Sequence, residues 1–142
     1  MAMDKTAQIA AAVTVVLLLI GLVLYGSLGN GPPPLTGLKA LAERTVDLYD
    51  REDYGAIWTS FGDEVQRTVT RDTLANHLGE LRARTGSILI DKELEAKAHA
   101  YRYEQYATAE YQYFGGKSSG RIKIGCRWDG GWVLIDFKVI PN

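Results

Sequence analysis

The chain has 142 residues, with 16 Lys and Arg against 17 Asp and Glu, so its net charge is −1. This length favours a single domain, and the lack of a basic cluster in the sequence argues against a nucleic-acid-binding protein. One cysteine, Cys126, excludes an intrachain disulfide.

The N-terminal residues predict a membrane anchor. The sequence has no charged residue from Thr6 to Leu38, and residues 9–28 read IAAAVTVVLLLIGLVLYGSL. A helix needs about 20 apolar residues to cross the hydrocarbon core of a bilayer. Because positive charge tends to stay in the cytoplasm, Lys5 predicts that residues 1–8 are cytoplasmic and that the C-terminal part is extracytoplasmic, or periplasmic in a bacterium. The alternative is a cleaved signal peptide, whose apolar segment is usually shorter, about 7–15 residues.

Three helices are predicted after a linker. Residues 29–34, GNGPPP, are typical of a linker, and residues 35–142 form the predicted domain. The first helix covers Leu35 to Asp53 with Thr36 as its cap. The second carries the apolar stripe Tyr54, Ile57, Trp58 and Phe61. The third runs from about Arg71 to Thr85, with Thr70 as N-cap and Gly86 at its end.

From Ser87 onward apolar residues recur with a period of two, which predicts strands. Ile88 and Ile90 begin a strand, and the charged residues 91–97 that follow are typical of a solvated edge. Residues 101–113 are predicted to form one long, half-buried strand with a bulge at Tyr106. Residues 115–120 form the loop of a hairpin.

The last hairpin can be given a register. A two-residue turn at Asp129-Gly130 would pair Cys126 with Val133, Ile124 with Ile135 and Ile122 with Phe137 on one face, and Lys123 with Asp136 on the other. A three-residue loop would bring Ile124 opposite Asp136 and bury a charge. The first register is therefore predicted, with Cys126 in the core and Asp136 outside it.

Two sets of candidate site residues follow. Trp132, Leu134 and Ile140 share the predicted outward face of the last strand and are interface candidates for a protein partner or a homodimer, unless the first helix or its linker covers them. His99, Tyr101, Tyr103 and Tyr111 share one strand parity and are ligand-pocket candidates, although tyrosine rows are also common in cores. Two histidines and one cysteine make a metal site improbable, and no cofactor is predicted.

The order of these elements resembles the nuclear-transport-factor-2-like superfamily, which includes the ketosteroid isomerases, and within it small bacterial families of unknown function. The motifs are Glu52-Asp53-Tyr54 after the first helix, Thr85-Gly86-Ser87 after the third, and Asp129-Gly130-Gly131-Trp132 before the last strand. The resemblance covers about residues 35–141. It implies three helices packed on a curved, mostly antiparallel sheet whose cone either holds a ligand or is filled by side chains.

The sequence therefore predicts an α+β domain behind a transmembrane helix. Its expected role is that of a membrane-anchored, extracytoplasmic binding or assembly module without enzymatic activity. The bilayer is expected to contact residues 9–28, and a protein partner or a second copy of the chain is expected to contact the domain. The alternative is a small-ligand-binding protein or a ketosteroid-isomerase-like enzyme that uses the cone. No catalytic residue of those enzymes maps onto this sequence.

Overall fold

A computed structural model describes residues 33–142, which form an α+β domain. A 3₁₀ turn at Leu35–Gly37 precedes four helices and four strands. The helices are α1 (Leu38–Asp50), α2 (Tyr54–Ser60), α3 (Asp63–Gln66) and α4 (Arg71–Thr85); the strands are β1 (Ile88–Tyr101), β2 (Glu104–Gly115), β3 (Ser119–Trp128) and β4 (Trp132–Pro141). The strands form one antiparallel sheet in the order β1-β2-β3-β4.

The predicted transmembrane segment, residues 9–28, lies outside the described residues, as does most of the predicted linker. Within residues 33–142, no helix has the length and apolar character needed to cross a bilayer.

The predicted third helix is confirmed as α4. The Thr70 side chain accepts a hydrogen bond from the Thr73 N–H at 3.1 Å, and Gly86 ends the helix with φ +67°. The predicted first helix begins later than expected, because residues 35–37 form the 3₁₀ turn. Thr36 is therefore not its cap, and Gly37 occupies that position without a side-chain hydrogen bond. The short helix α3 was not predicted.

The core lies between the helices and one face of the sheet, here called the inner face. The inward side chains of β2 and β3 are almost completely shielded from water, and they are Ala107, Ala109, Tyr111, Tyr113, Ile122, Ile124 and Cys126. They form one cluster with Leu38 and Tyr49 of α1, Ile57 of α2 and Leu78 of α4. The predicted burial of Cys126 is confirmed. The opposite, outer face of the sheet carries mainly polar and charged side chains.

Polar contacts join the end of α1 to α4 and β1. The Asp50 carboxylate accepts the Ile88 N–H at 2.8 Å, and Arg82 donates to the Asp50 carbonyl at 3.2 Å. The Tyr49 hydroxyl lies 2.7 Å from Thr85 Oγ1. Because Thr85 Oγ1 donates its own proton to the Gly86 carbonyl at 2.9 Å, Tyr49 is the donor in this pair.

The single strand predicted for residues 101–113 is wrong. The chain reverses at Arg102-Tyr103, with Arg102 at φ +57°, so that Tyr101 pairs with Glu104. This reversal changes the parity of the side chains: Tyr101 lies on the outer face, whereas Tyr111 lies on the inner one. The predicted bulge at Tyr106 is also wrong. The irregularities occur in the β1–β2 pairing, between Ile90 and Lys92 and between Glu93 and Glu95.

The predicted two-residue turn of the last hairpin is wrong as well. Its loop has three residues, Asp129–Gly131, with Gly130 at φ +69°. Trp128 consequently pairs with Trp132, and Cys126 pairs with Leu134.

A bulge prevents the charge burial that a three-residue loop would otherwise cause. The register shifts between the Cys126 and Gly125 rungs, where Ile135 is the extra residue of β4. Asp136 then pairs with Gly125 on the outer face, and Phe137 pairs with Ile124 on the inner face. The outward position of Asp136 is confirmed, but the predicted outward orientation of Leu134 is wrong, since its side chain is 1% exposed.

Candidate functional site

The four candidate pocket residues do not meet in a cavity. Tyr111 is buried in the core, whereas Tyr101 is 62% exposed and Tyr103 is fully exposed at the tip of the β1–β2 hairpin. His99 pairs with Tyr106 on the outer face, and the two rings stack with centroids 5.8 Å apart. Four grooves on the part of the chain that the structure describes are lined by other residues.

Side chains fill the inner face of the sheet. Tyr49, Tyr111 and Tyr113 all have 0% exposure. The Tyr113 hydroxyl lies 3.0 Å from Ser118 Oγ, but the Tyr111 hydroxyl has no hydrogen-bond partner. Burial, with a smaller contribution from the Glu93 charge, raises the pKa of Tyr111 to about 12. Tyr111 is therefore a neutral core residue at physiological pH.

Burial also makes Cys126 an inert thiol. Its side chain has 0% exposure, and burial raises the pKa of the thiol to about 12. Because the thiolate is the reactive form, this cysteine is a packing residue and not a nucleophile.

Trp132, a candidate interface residue, is covered by the start of the domain. Its Nε1 donates to the Pro34 carbonyl at 2.9 Å, and its ring contacts the Trp128 ring edge-on with centroids 5.0 Å apart. A Cβ on Gly37 would lie 3.2 Å from Trp132 Cδ1, so the 3₁₀ turn packs directly on the indole. Trp132 therefore belongs to the inner face, and its predicted outward orientation is wrong. The alternative prediction, in which the first helix or its linker covers Trp132, agrees with these contacts.

Ile140, the third interface candidate, lies in a groove between α4 and β4. Its side chain is 36% exposed. The groove has a volume of about 380 Å³ and is lined by His77, Leu81 and Arg84 of α4 and by five consecutive residues of β4, Phe137 to Pro141. Since consecutive strand residues point to opposite faces, the groove follows the edge of β4. This α4–β4 groove is the candidate functional site.

The edge of β4 beside the groove carries unpaired backbone groups. The Asn142 N–H donates to the Ser119 carbonyl at 2.9 Å. In an antiparallel pair every second residue bonds to the neighbouring strand, so Ile140 and Lys138 face β3, and Phe137 and Val139 direct their N–H and C=O groups away from it. No loop or helix backbone of residues 33–142 pairs with these outward groups.

A short bridge already covers the beginning of this edge. The Gly62 N–H donates to the Leu134 carbonyl at 2.9 Å, and Phe61 pairs with Leu134 in a parallel bridge. The bridge shows that β4 accepts an additional segment at its edge. The open part begins beyond the Ile135 bulge and ends at Pro141, whose missing N–H would have pointed outward.

The rim of the groove is cationic. Arg84 has no acidic partner among the described residues, whereas Lys138 pairs with Asp136 at 3.4 Å. Lys117 lies close by, since its Nζ donates to the Ala83 carbonyl in the last turn of α4. Leu81, Phe137 and Val139 give the groove apolar walls. This combination suits an apolar segment that carries a carboxylate.

A second groove, of about 230 Å³, lies between α1 and the start of β1. Three carboxylates line it, and each lies within 4.0 Å of a basic side chain; they belong to Glu43, Asp47 and Asp50. Within the part of the chain that the structure describes, no cluster of three or more His, Cys, Asp or Glu could hold a metal ion.

Comparison of the chain with known proteins finds no family model and no curated protein that matches it.

Ile140 was predicted from the sequence as an interface residue, but the groove around it was not predicted. One signal was present in the sequence: His77, Leu81 and Arg84 follow each other at i, i+4 and i+7, so they share one face of α4. The other half of the site depends on β4 being an edge strand, which only the strand order reveals.

Proposed function

We propose that the chain is a membrane-anchored, extracytoplasmic binding module, not an enzyme, and that it binds an extended segment of a partner protein along the edge of β4. The anchor at residues 9–28 and its orientation rest on the hydropathy and charge of the sequence. Membership of the nuclear-transport-factor-2-like superfamily is part of the same proposal, supported by helices that precede an antiparallel meander.

The observation that carries this proposal is the open edge of β4 beside an apolar groove. An extended segment can add to such an edge as a further strand, with main-chain hydrogen bonds for affinity and side-chain pockets for specificity. The outward groups of Phe137 and Val139 would pair with the incoming backbone. Every second side chain of the segment would then face Leu81, and a carboxylate at one end would reach Arg84.

The expected affinity is modest. Each ladder hydrogen bond contributes about 0.5–1.5 kcal/mol net, so the two N–H and two C=O groups of Phe137 and Val139 contribute about 2–6 kcal/mol together. Burial of Ile140, which is 36% exposed, adds an apolar contribution. This affinity is sufficient for a module that is tethered to the same membrane as its partner, because the tether raises the effective concentration of the two proteins.

The packing of the inner face argues against the alternative of an enzyme or a small-ligand carrier. Such a protein would need a cavity with a polar group inside the cone. Tyr49, Tyr111 and Tyr113 fill that space, and His99 lies on the outer face. We therefore expect His99→Ala to leave function intact in a complemented deletion strain.

Site-specific photo-crosslinking in intact cells tests the binding surface. A photoreactive phenylalanine at Ile140 samples the α4–β4 groove, and the same residue at Leu89, which is 71% exposed on the opposite edge strand, is the matched control. The proposal expects one discrete crosslinked product from Ile140 and none from Leu89. Equal products from both positions, or a product from Leu89 only, would contradict it.

A charge reversal shows whether that product depends on the cationic rim. Arg84→Glu should strongly reduce crosslinking from Ile140, because it places two carboxylates together. Arg67→Glu makes the same charge change on an exposed residue outside the groove and should leave crosslinking unchanged. If the two variants behave alike, the groove is not the binding site.

The membrane part of the proposal has its own test. A cysteine that replaces Lys117, in the exposed β2–β3 turn, should react with a membrane-impermeant maleimide from the extracytoplasmic side, whereas the buried Cys126 should not be labelled. The chain should also resist extraction by alkaline carbonate. Labelling only after the membrane is permeabilised would reverse the proposed orientation.

A further inference from the structure

The tip of the β1–β2 hairpin exposes two aromatic rings. We call Tyr101, Arg102 and Tyr103 the tyrosine tip. Tyr101 is 62% exposed, Tyr103 is fully exposed, and the Arg102 guanidinium carbon lies 5.3 Å from the centroid of the Tyr101 ring. The two-residue turn requires φ +57° at Arg102, which favours glycine or asparagine and not arginine. Fold stability therefore does not explain these residues.

The strand register places the tyrosine tip at the end of the sheet where the chain enters the domain. His99, Tyr106, Arg127 and Val133 form one rung across the four strands. The next rung toward the tip contains Trp132, whose indole binds the Pro34 carbonyl. Pro34 thus lies at the same end of the sheet as the tip, although on the β4 side of it.

We propose that the tyrosine tip rests in the interfacial layer of the bilayer that holds the chain; this inference depends on the anchor proposed above. Only five Cα–Cα steps separate Leu28, the end of the predicted span, from Pro33, so the connection reaches at most about 18 Å. The end of the domain that carries Pro34 must therefore stay close to the lipid headgroups. Tyrosine is enriched at that depth of the membrane, and Arg102 can extend its charge toward anionic headgroups.

The size of the surface favours lipid over a protein partner. Burial of two tyrosine side chains removes about 300–500 Å² at most from this chain, below the roughly 800 Å² that each partner contributes to a standard protein–protein interface. A weak contact is sufficient at a membrane to which the chain is already tethered. Both rings would present their apolar bodies to the acyl boundary while their hydroxyl groups remain hydrated.

This orientation gives the two surfaces of the domain separate roles. β4 runs away from the tip, from Trp132 to Pro141, so the α4–β4 groove lies at the opposite end of the sheet. Contact of the tip with the bilayer would hold the open part of β4 at a distance from the membrane, where a partner segment can reach it.

Spin-label accessibility of the full chain in liposomes tests the inference. A nitroxide at Ala100, an exposed residue next to the tip, keeps both tyrosines in place, and a nitroxide at Lys117 marks the opposite end of the sheet. In vesicles of phosphatidylcholine with one quarter phosphatidylglycerol, the Ala100 label should lose collisions with a water-soluble nickel complex and gain collisions with oxygen. The Lys117 label should stay accessible to nickel. The double variant Tyr101→Ser, Tyr103→Ser should restore nickel access at Ala100.

Each other outcome identifies what fails. If the chain is not retained by the liposomes in carbonate, the proposed anchor fails. If it is retained but the Ala100 label is as accessible to nickel as the Lys117 label, the inference about the tip is overturned and the anchor stands. If the Ala100 label is protected from nickel in detergent without lipid, the tip contacts a second copy of the chain. That result would also overturn the inference about the tip. Because the rings are exposed, the double Ser variant should unfold at nearly the same urea concentration as the natural chain.

Discussion

Two tyrosines on the same face of β2 are predicted to respond oppositely to the loss of their hydroxyl group. Tyr111 and Tyr113 lie two residues apart, and both have 0% exposure. The Tyr113 hydroxyl has a partner, Ser118 Oγ at 3.0 Å, whereas the Tyr111 hydroxyl has none. The same chemical change, Tyr to Phe, therefore removes a hydrogen bond at one position and an unsatisfied polar group at the other.

The magnitudes follow from this difference. A buried polar group without a partner costs about 1–3 kcal/mol, and replacing Tyr by Phe removes only one oxygen. We expect Tyr111→Phe to raise the free energy of unfolding by about 1 kcal/mol. A neutral hydrogen bond contributes about 0.5–1.5 kcal/mol, so Tyr113→Phe should lower it by about 1 kcal/mol. The two variants should differ by about 2 kcal/mol, with opposite signs.

Urea denaturation in mild detergent, followed by tryptophan fluorescence, measures both free energies. The reasoning about a filled core is refuted if Tyr111→Phe destabilises the protein as much as Tyr113→Phe does. It is also refuted if Tyr111→Phe abolishes function in cells while stability is retained, since that hydroxyl would then act on a ligand. Under our account Tyr111→Phe is fully functional.

Three further predictions concern other parts of the domain. Cys126 should not react with a thiol reagent at pH 8 in the folded chain and should react fully in urea, because burial raises its pKa to about 12; reaction at the rate of a free thiol would contradict its core position. Trp132→Phe should lower the free energy of unfolding by about 1 kcal/mol through loss of the bond to the Pro34 carbonyl, whereas Trp128→Phe, in which no side-chain hydrogen bond is lost, should cost less. Arg127 lowers the pKa of the half-exposed Glu64, so the pair stabilises the fold above the usual glutamate pKa and ceases to do so as the pH falls through the lowered value. Glu64→Gln should therefore cost less than about 1 kcal/mol at pH 7 and nothing near pH 2; an equal cost at both pH values would assign the effect to packing.

The helix α4 was predictable because its signals are local. Thr70 caps the first turn and Gly86 ends the helix. Asp72 in the first turn and the arginines of the last turn complement the helix dipole, and all these residues lie in or next to the helix. The α+β class followed equally well, since the change from a helical period to a period of two falls at Ser87, next to the observed start of β1.

The two hairpins were not predictable in the same way. Arg102-Tyr103 has no turn residue, so the alternation of residues 101–113 suggested one strand, and only pairing with β1 explains the reversal. For the last hairpin, a two-residue turn was predicted because it keeps Asp136 outside the core. In the protein the loop has three residues, and the extra residue Ile135 forms a bulge that keeps Asp136 outside the core and moves Leu134 into it.

The candidate site was accessible to sequence reasoning only in part. Ile140 was identified from its position in the last strand. Trp132 was assigned to the wrong face because the predicted register of the last hairpin was off by one residue. The free edge of β4 depends on long-range strand order, and the approach of α4 to this edge depends on tertiary packing. Neither has a local signature in the amino-acid sequence.

Amide hydrogen exchange at Phe137 and Val139 tests the central claim most directly. We expect both amides to exchange rapidly in the isolated chain, because they point away from β3 and meet no backbone partner. They should become protected when the partner that crosslinking identifies is bound. The amides of Lys138 and Ile140, which bond to β3, should be protected in both states. Rapid exchange at Phe137 and Val139 in the complex would contradict strand addition at this edge.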